Sequence, residues 1–174
     1  MTTSKTAAQP EGRSLGGELR KQLKDLLDGG QAHATFEQAV KEMPVKLQGV
    51  VAEGLPYSAW QILEHIRIAQ RDILDFSRND DGNYREMKWP EGYWPKDPAP
   101  PGADSWQKSI DQIRGDRKTF EKLIDSVDDM NLIRPFPWGS GQNLLREALL
   151  IADHEAYHVG ELVLLRRLLG VWKS

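Results

Sequence analysis

Four stretches of the chain repeat apolar residues at steps of three and four, and none alternates convincingly with the period of two that a strand requires. From Ser14 to Asp28, the residues Leu15, Leu19, Leu23, Leu26 and Leu27 recur at that spacing. Ser14 is placed to cap the start and Gly29-Gly30 to stop the helix. Ser58 opens a second long helix, to about Ser77, with Trp60, Leu63, Ile66, Ile73 and Leu74 among its buried candidates. Asp104 or Ser105 caps a third, to about Val127, in which Trp106, Ile110, Ile113, Phe120, Leu123 and Ile124 keep helical spacing. The last begins near Gln142 or Asn143 and runs to about Leu169. A shorter helical stretch is expected from about Gln31 to Met43, ended by Pro44, and Val45 to Pro56 reads as a connection. For an all-α chain with four main helices, a four-helix bundle is the economical architecture.

The longest connection sets the expected topology. Between the second and third long helices lie 25 residues, Arg78 to Gly102, holding five of the ten prolines and the aromatics Tyr84, Trp89, Tyr93 and Trp94. A helix of roughly 20 residues is about 30 Å long, so this segment can return along the full length of the bundle. Such a crossover lets the second and third helices run parallel, whereas a short loop forces simple up-and-down order. Its Trp- and Pro-rich part, residues 89–101, reads first as a crossover pinned down by packing. The alternative is a lid over a site that takes a flat or apolar substrate.

The length of 174 residues suits one domain, expected over residues 14–174 after a polar, disordered tail at 1–13. Net charge is −3 with acids and bases interspersed, which gives no electrostatic footprint for nucleic acid or a membrane surface. Residues Met1 to Arg13 lack an apolar signal core, and no run approaches the ~20 apolar residues of a membrane span. A cytoplasmic protein is the expectation. The chain has no cysteine, which excludes disulfides, thiolate-bound zinc and a cysteine nucleophile, and leaves His and carboxylates as the plausible metal ligands.

Those ligands are few. His154 and His158 lie four residues apart in the last helix, so both imidazoles share one face, one turn apart. A transition-metal site needs a third protein ligand, and the chain holds only four histidines. The third candidate is therefore His65, mid-helix in the second long helix, or His33 in the first helical region. One imidazole from one helix and a His-x-x-x-His pair from another form a facial three-nitrogen set with positions open to water or substrate. The competing reading is three hydrogen-bonded core histidines. Glu161, three residues beyond His158, and Glu147, seven before His154, fall near the ligand face and could orient an imidazole or act as a general base. Glu64 and Glu155 adjoin histidines in sequence and so point elsewhere, to solvent or helix-face salt bridges.

Several motifs together resemble the DinB/YfiT-like family. They are Leu63-Glu64-His65-Ile66, the run Asp153-His154-Glu155-Ala156-Tyr157-His158-Val159-Gly160-Glu161-Leu162, and Pro137-Trp138-Gly139 followed by Leu144-Leu145-Arg146-Glu147. The resemblance extends over most of the chain from about Leu15. It implies a four-helix bundle in up-down-down-up order, with His65, His154 and His158 as ligands of zinc, nickel or another divalent ion. It also implies a homodimer acting on a small molecule, and the family includes thiol-dependent transferases that use bacillithiol or mycothiol.

A three-imidazole site with an open position acts as a Lewis acid, making a nucleophile of water or of a thiol near neutral pH. Three functions follow as expectations. One is transfer of a low-molecular-weight thiol to an electrophile, the thiol coming from outside a chain without cysteine. The second is hydrolysis of a small molecule, and the third a non-catalytic, stress-associated metal-binding bundle.

Overall fold

The computed structural model describes residues 14–173, and the expected tail at 1–13 lies outside them. The helices are α1 (Leu15–Asp28), α2 (Phe36–Val40), α3 (Ala59–Arg78), α4 (Ser105–Ser126), α5 (Asp129–Ile133) and α6 (Leu144–Leu168), with a single 3-10 turn at Val45–Leu47. Among the described residues there is no strand. The fold is an all-helical bundle built on the four long helices α1, α3, α4 and α6. Among the described residues no helix is long and apolar enough to cross a membrane.

Local chemistry sets the helix ends. Ser14 accepts from the Gly17 amide, and Ser58 with Gln61 forms a reciprocal capping box that starts α3. Asn143 caps α6 through the Arg146 amide. Two expectations need correction. The stretch expected as helix from Gln31 to Met43 is helical only over Phe36–Val40, because the capping box of Thr35 and Gln38 fixes its start there. The short α5 was not anticipated, although Asp128 caps it through the Asn131 amide.

Side-chain contacts order the long helices. Glu64 meets Ser109, Gln70 meets the Ile113 carbonyl and Arg71 meets Asp116, so numbering rises together and α3 and α4 run parallel. Arg20 binds the Val127 carbonyl and Lys24 binds Asp125, which sets α1 against α4. His65 lies beside His154 and Phe76 beside Trp138, so α6 runs against α3. Residues 79–104 form the crossover that parallel α3 and α4 require.

The interior has two apolar clusters. One gathers Phe36, Trp60, Leu63, Ile66, Ile110, Ile113, Leu162 and Leu165, and the other Leu23, Leu27, Leu74, Phe120, Ile124, Leu132, Leu144 and Ile151. Between them along α3, α4 and α6 fall the buried polar residues Gln70, Asp116, Arg117 and Glu155. Burying such groups costs several kcal/mol unless each finds a partner. Gln70 donates to Ile113 at 2.7 Å, Asp116 accepts from Gln112 and Arg71, and Arg117 pairs with Glu155 at 2.6 Å. The expectation for Glu155 is thereby corrected: it points into the bundle at 7% exposure, because its partner stands on α4 rather than on its own helix.

Candidate metal centre

α3 and α6 bring His65, His154 and His158 together midway along the bundle. One ligand-capable nitrogen from each imidazole lies within 4.8 Å of the others, and no carboxylate belongs to the group. The His65 and His158 rings meet edge-on at 4.6 Å between centroids and 83° between planes, and His154 meets His158 at 4.5 Å and 69°. His65 and His158 are buried and His154 is half-buried.

Hydrogen bonds at the outer nitrogens decide which lone pairs turn inward. The Tyr93 carbonyl can only accept, so His65 donates Nδ1–H to it at 2.9 Å and its Nε2 carries the lone pair. His158 Nδ1 lies 2.6 Å from the Glu161 carboxylate, which selects Nε2 as the free nitrogen in the same way. His65 Nε2 and His154 Nε2 are 3.0 Å apart. Two lone pairs at that distance repel unless a proton or a cation lies between them. The separation suits one ion with both nitrogens about 2.1 Å away at a right angle. The all-imidazole donor set fits a transition-metal ion.

The imidazoles are held neutral, as ligands must be. Burial and the neighbouring His158 and His65 push His154 down to about 3. Burial and His65 push His158 down to about 4. Burial also lowers His65, against the raising effect of the Tyr93 carbonyl.

The crossover forms one wall of this centre. Trp94 stacks on the His65 ring at 3.9 Å and 6°, and Tyr57 stacks on Trp94 at 3.8 Å. Gln61 donates to the Pro95 carbonyl at 3.1 Å, and Ser58 to the Pro98 carbonyl at 2.5 Å. Residues 89–101 are thus pinned to the start of α3 and at the same time packed against a candidate ligand. Trp89 remains 65% exposed, its ring edge-on to His65 at 6.4 Å.

The other candidates separate. Glu161 touches His158 at 2.6 Å, while burial raises its carboxyl. Glu147 is buried two turns away, paired with Arg146 at 2.7 Å and touching no histidine, with burial raising its carboxyl as well. Glu64 makes the expected helix-face bridge to Arg67 but is buried, with Ser109 as a second partner. His33 is exposed, its Nδ1 on the Ala34 carbonyl, and stands outside the cluster. Sequence reasoning puts Tyr93 and Trp94 in a crossover that could cover the site and Asp72 on the face of His65, but it gives neither the Tyr93 carbonyl on His65, nor its hydroxyl on Asp72, nor the Trp94 stack. The aromatic richness of the crossover was the available signal.

A family model described as the DinB superfamily matches residues 30–162, which includes all three clustered histidines. Comparison with curated proteins and with solved structures finds no match.

Proposed function

The chain belongs to the DinB superfamily, and from that premise we propose that it is a divalent-metal-dependent enzyme, its ion held by His65, His154 and His158. The observation that carries this reading is the convergence of three neutral imidazoles, two of which, His65 and His158, have their outer nitrogens committed to Tyr93 and Glu161. A bound divalent ion supplies Lewis acidity that makes a nucleophile available near neutral pH. Zn or Ni suits the all-imidazole donor set.

Within that class, transfer of an external low-molecular-weight thiol is the better-supported reaction. A thiol with a pKa near 8.5 loses its proton on coordination without a general base, whereas water needs more help. Glu161, the carboxylate at the cluster, is committed to His158 at 2.6 Å, which makes it an orienting group rather than a free base. The protein supplies no thiol of its own. Hydrolysis remains the second reading, with Glu161 as its base once His158 yields it. The exposed α6 residues Leu149, Tyr157, Leu164 and Leu168 give a homodimer an apolar strip to cover, and the mass in solution tests this.

The test is conjugation of a chromogenic aryl halide by metal-loaded protein, with and without a panel of small thiols. Thiol-dependent turnover that disappears in a folded His65→Ala variant supports the proposal. Thiol-independent ester or amide cleavage with the same histidine dependence supports hydrolysis instead.

A further inference from the structure

Tyr93 is held at both ends against α3. Its carbonyl accepts from His65 Nδ1 at 2.9 Å, and its hydroxyl donates to Asp72 Oδ2 at 2.7 Å. His65 and Asp72 are seven residues apart, hence on nearly the same helix face and about 10 Å apart along the axis. One tyrosine therefore bridges two turns of α3, with its backbone on the candidate ligand and its phenol on a carboxylate.

Asp72 is suited to anchoring. It is half-buried, and its other oxygen accepts from the Tyr84 hydroxyl at 3.0 Å. Tyr84 packs edge-on against Phe76 at 5.1 Å, which ties the start of the crossover to the end of α3. Trp94 on His65 and Gln61 on Pro95 hold the neighbouring residues, but without the Asp72 bond residue 93 itself would keep a turn bond to the Pro90 carbonyl and a tilted contact with Trp89, which is largely exposed. Those contacts fix a loop more weakly than a hydrogen bond to a half-buried carboxylate.

We propose that Tyr93 is a positioning residue for the metal centre: Asp72 fixes its hydroxyl, the hydroxyl fixes residue 93, and its carbonyl selects the His65 tautomer that turns Nε2 inward. The inference rests on the metal reading above, and it assigns part of the crossover a role in that centre beyond connecting α3 to α4.

The test variant is Tyr93→Phe, which removes one oxygen and leaves the ring, the carbonyl and Trp94. Two quantities are measured: zinc affinity by competition with a chromophoric chelator, and the His65 tautomer by long-range nitrogen–proton correlation NMR on the zinc-free protein. The expected result is an affinity about tenfold weaker, the lower end of what outer partners of metal-ligating imidazoles contribute, with His65 no longer held as the Nδ1–H form. Tyr84→Phe removes the other hydroxyl from the same carboxylate and leaves affinity and tautomer at wild-type values. Should Tyr93→Phe fail to fold by circular dichroism, Asp72→Ala, which leaves the Tyr93 hydroxyl no side-chain acceptor at that position, is expected to show the same paired change. Wild-type affinity and tautomer in Tyr93→Phe, or equal losses in both tyrosine variants, overturn the proposal. A wild type that takes up no zinc refutes the metal reading, and the tautomer spectra then decide the role of Tyr93 separately.

Discussion

Replacing Glu155 by leucine isolates a buried ion pair between α4 and α6. Arg117 and Glu155 are 8% and 7% exposed, joined at 2.6 Å, with the guanidinium 5.7 Å from the Phe36 ring. The Nε of Arg117 has no hydrogen-bond partner, so Glu155 is the principal compensation for that charge. Burial pushes the Glu155 carboxyl up while Arg117 pulls it down, the signature of a desolvated carboxylate kept in place by its cation. Removing one member of such a pair costs about 3–5 kcal/mol, because the other charge stays buried without compensation. For a chain of this size, at roughly 2–4 °C per kcal/mol, that is a drop in Tm of about 6–20 °C. The double variant Arg117→Met with Glu155→Leu removes both charges and is expected to recover to within about 1 kcal/mol of wild type. Urea unfolding of the metal-free protein, run as a double-mutant cycle, measures both numbers. A loss below about 1 kcal/mol for Glu155→Leu alone, the range of ordinary surface changes, would refute the reasoning.

Three further outcomes follow from the structure. His154 and His158 have folded-state pKa values of about 3 and about 4, below the ordinary 6.5. Unfolding therefore takes up protons below pH 6.5, and their contribution to metal-free stability is complete above pH 6.5 and lost as pH falls through about 4 for His158 and about 3 for His154. Buried carboxyls with raised values, Asp72, Glu147 and Glu155, act with the opposite sign, so the effect is read as the difference in slope between wild type and His154→Leu. Glu161→Ala frees the His158 ring and is expected to weaken zinc binding about 10- to 100-fold in chelator competition, with little change in the urea midpoint. Gly49→Ala places a methyl group 2.7 Å from Ala99 Cβ and 2.8 Å from its Cα, where the crossover passes closest to the 45–56 connection. It is expected to cost about 1–3 kcal/mol in urea unfolding.

What could be read from sequence and what could not divide along one line. The long helices were legible because their apolar spacing and caps are local: Leu23, Leu63 and Ile113 announce buried faces, and Ser14, Ser58 and Asn143 announce starts. The His154/His158 pair was legible for the same reason, since helical periodicity alone puts them on one face. The crossover followed from length. The misjudged polar residues have partners far away in sequence: Arg117 is on another helix from Glu155, and Ser109 from Glu64. Tyr93 and Asp72 belong to the same class, because nothing in their own neighbourhoods foretells that a loop carbonyl will meet His65. Helix α2 was overextended because Gln31 to Ala34 carries no helix breaker, and only the Thr35–Gln38 capping box marks the true start.

The central claim is that His65, His154 and His158 hold a metal ion. Its most direct test is elemental analysis of untagged protein, wild type and His154→Ala, after incubation with zinc or nickel and removal of free ion. The account predicts near-stoichiometric metal in wild type and none in the folded variant. Metal-free wild type under the same conditions would contradict it, leaving a proton rather than a cation between His65 and His154.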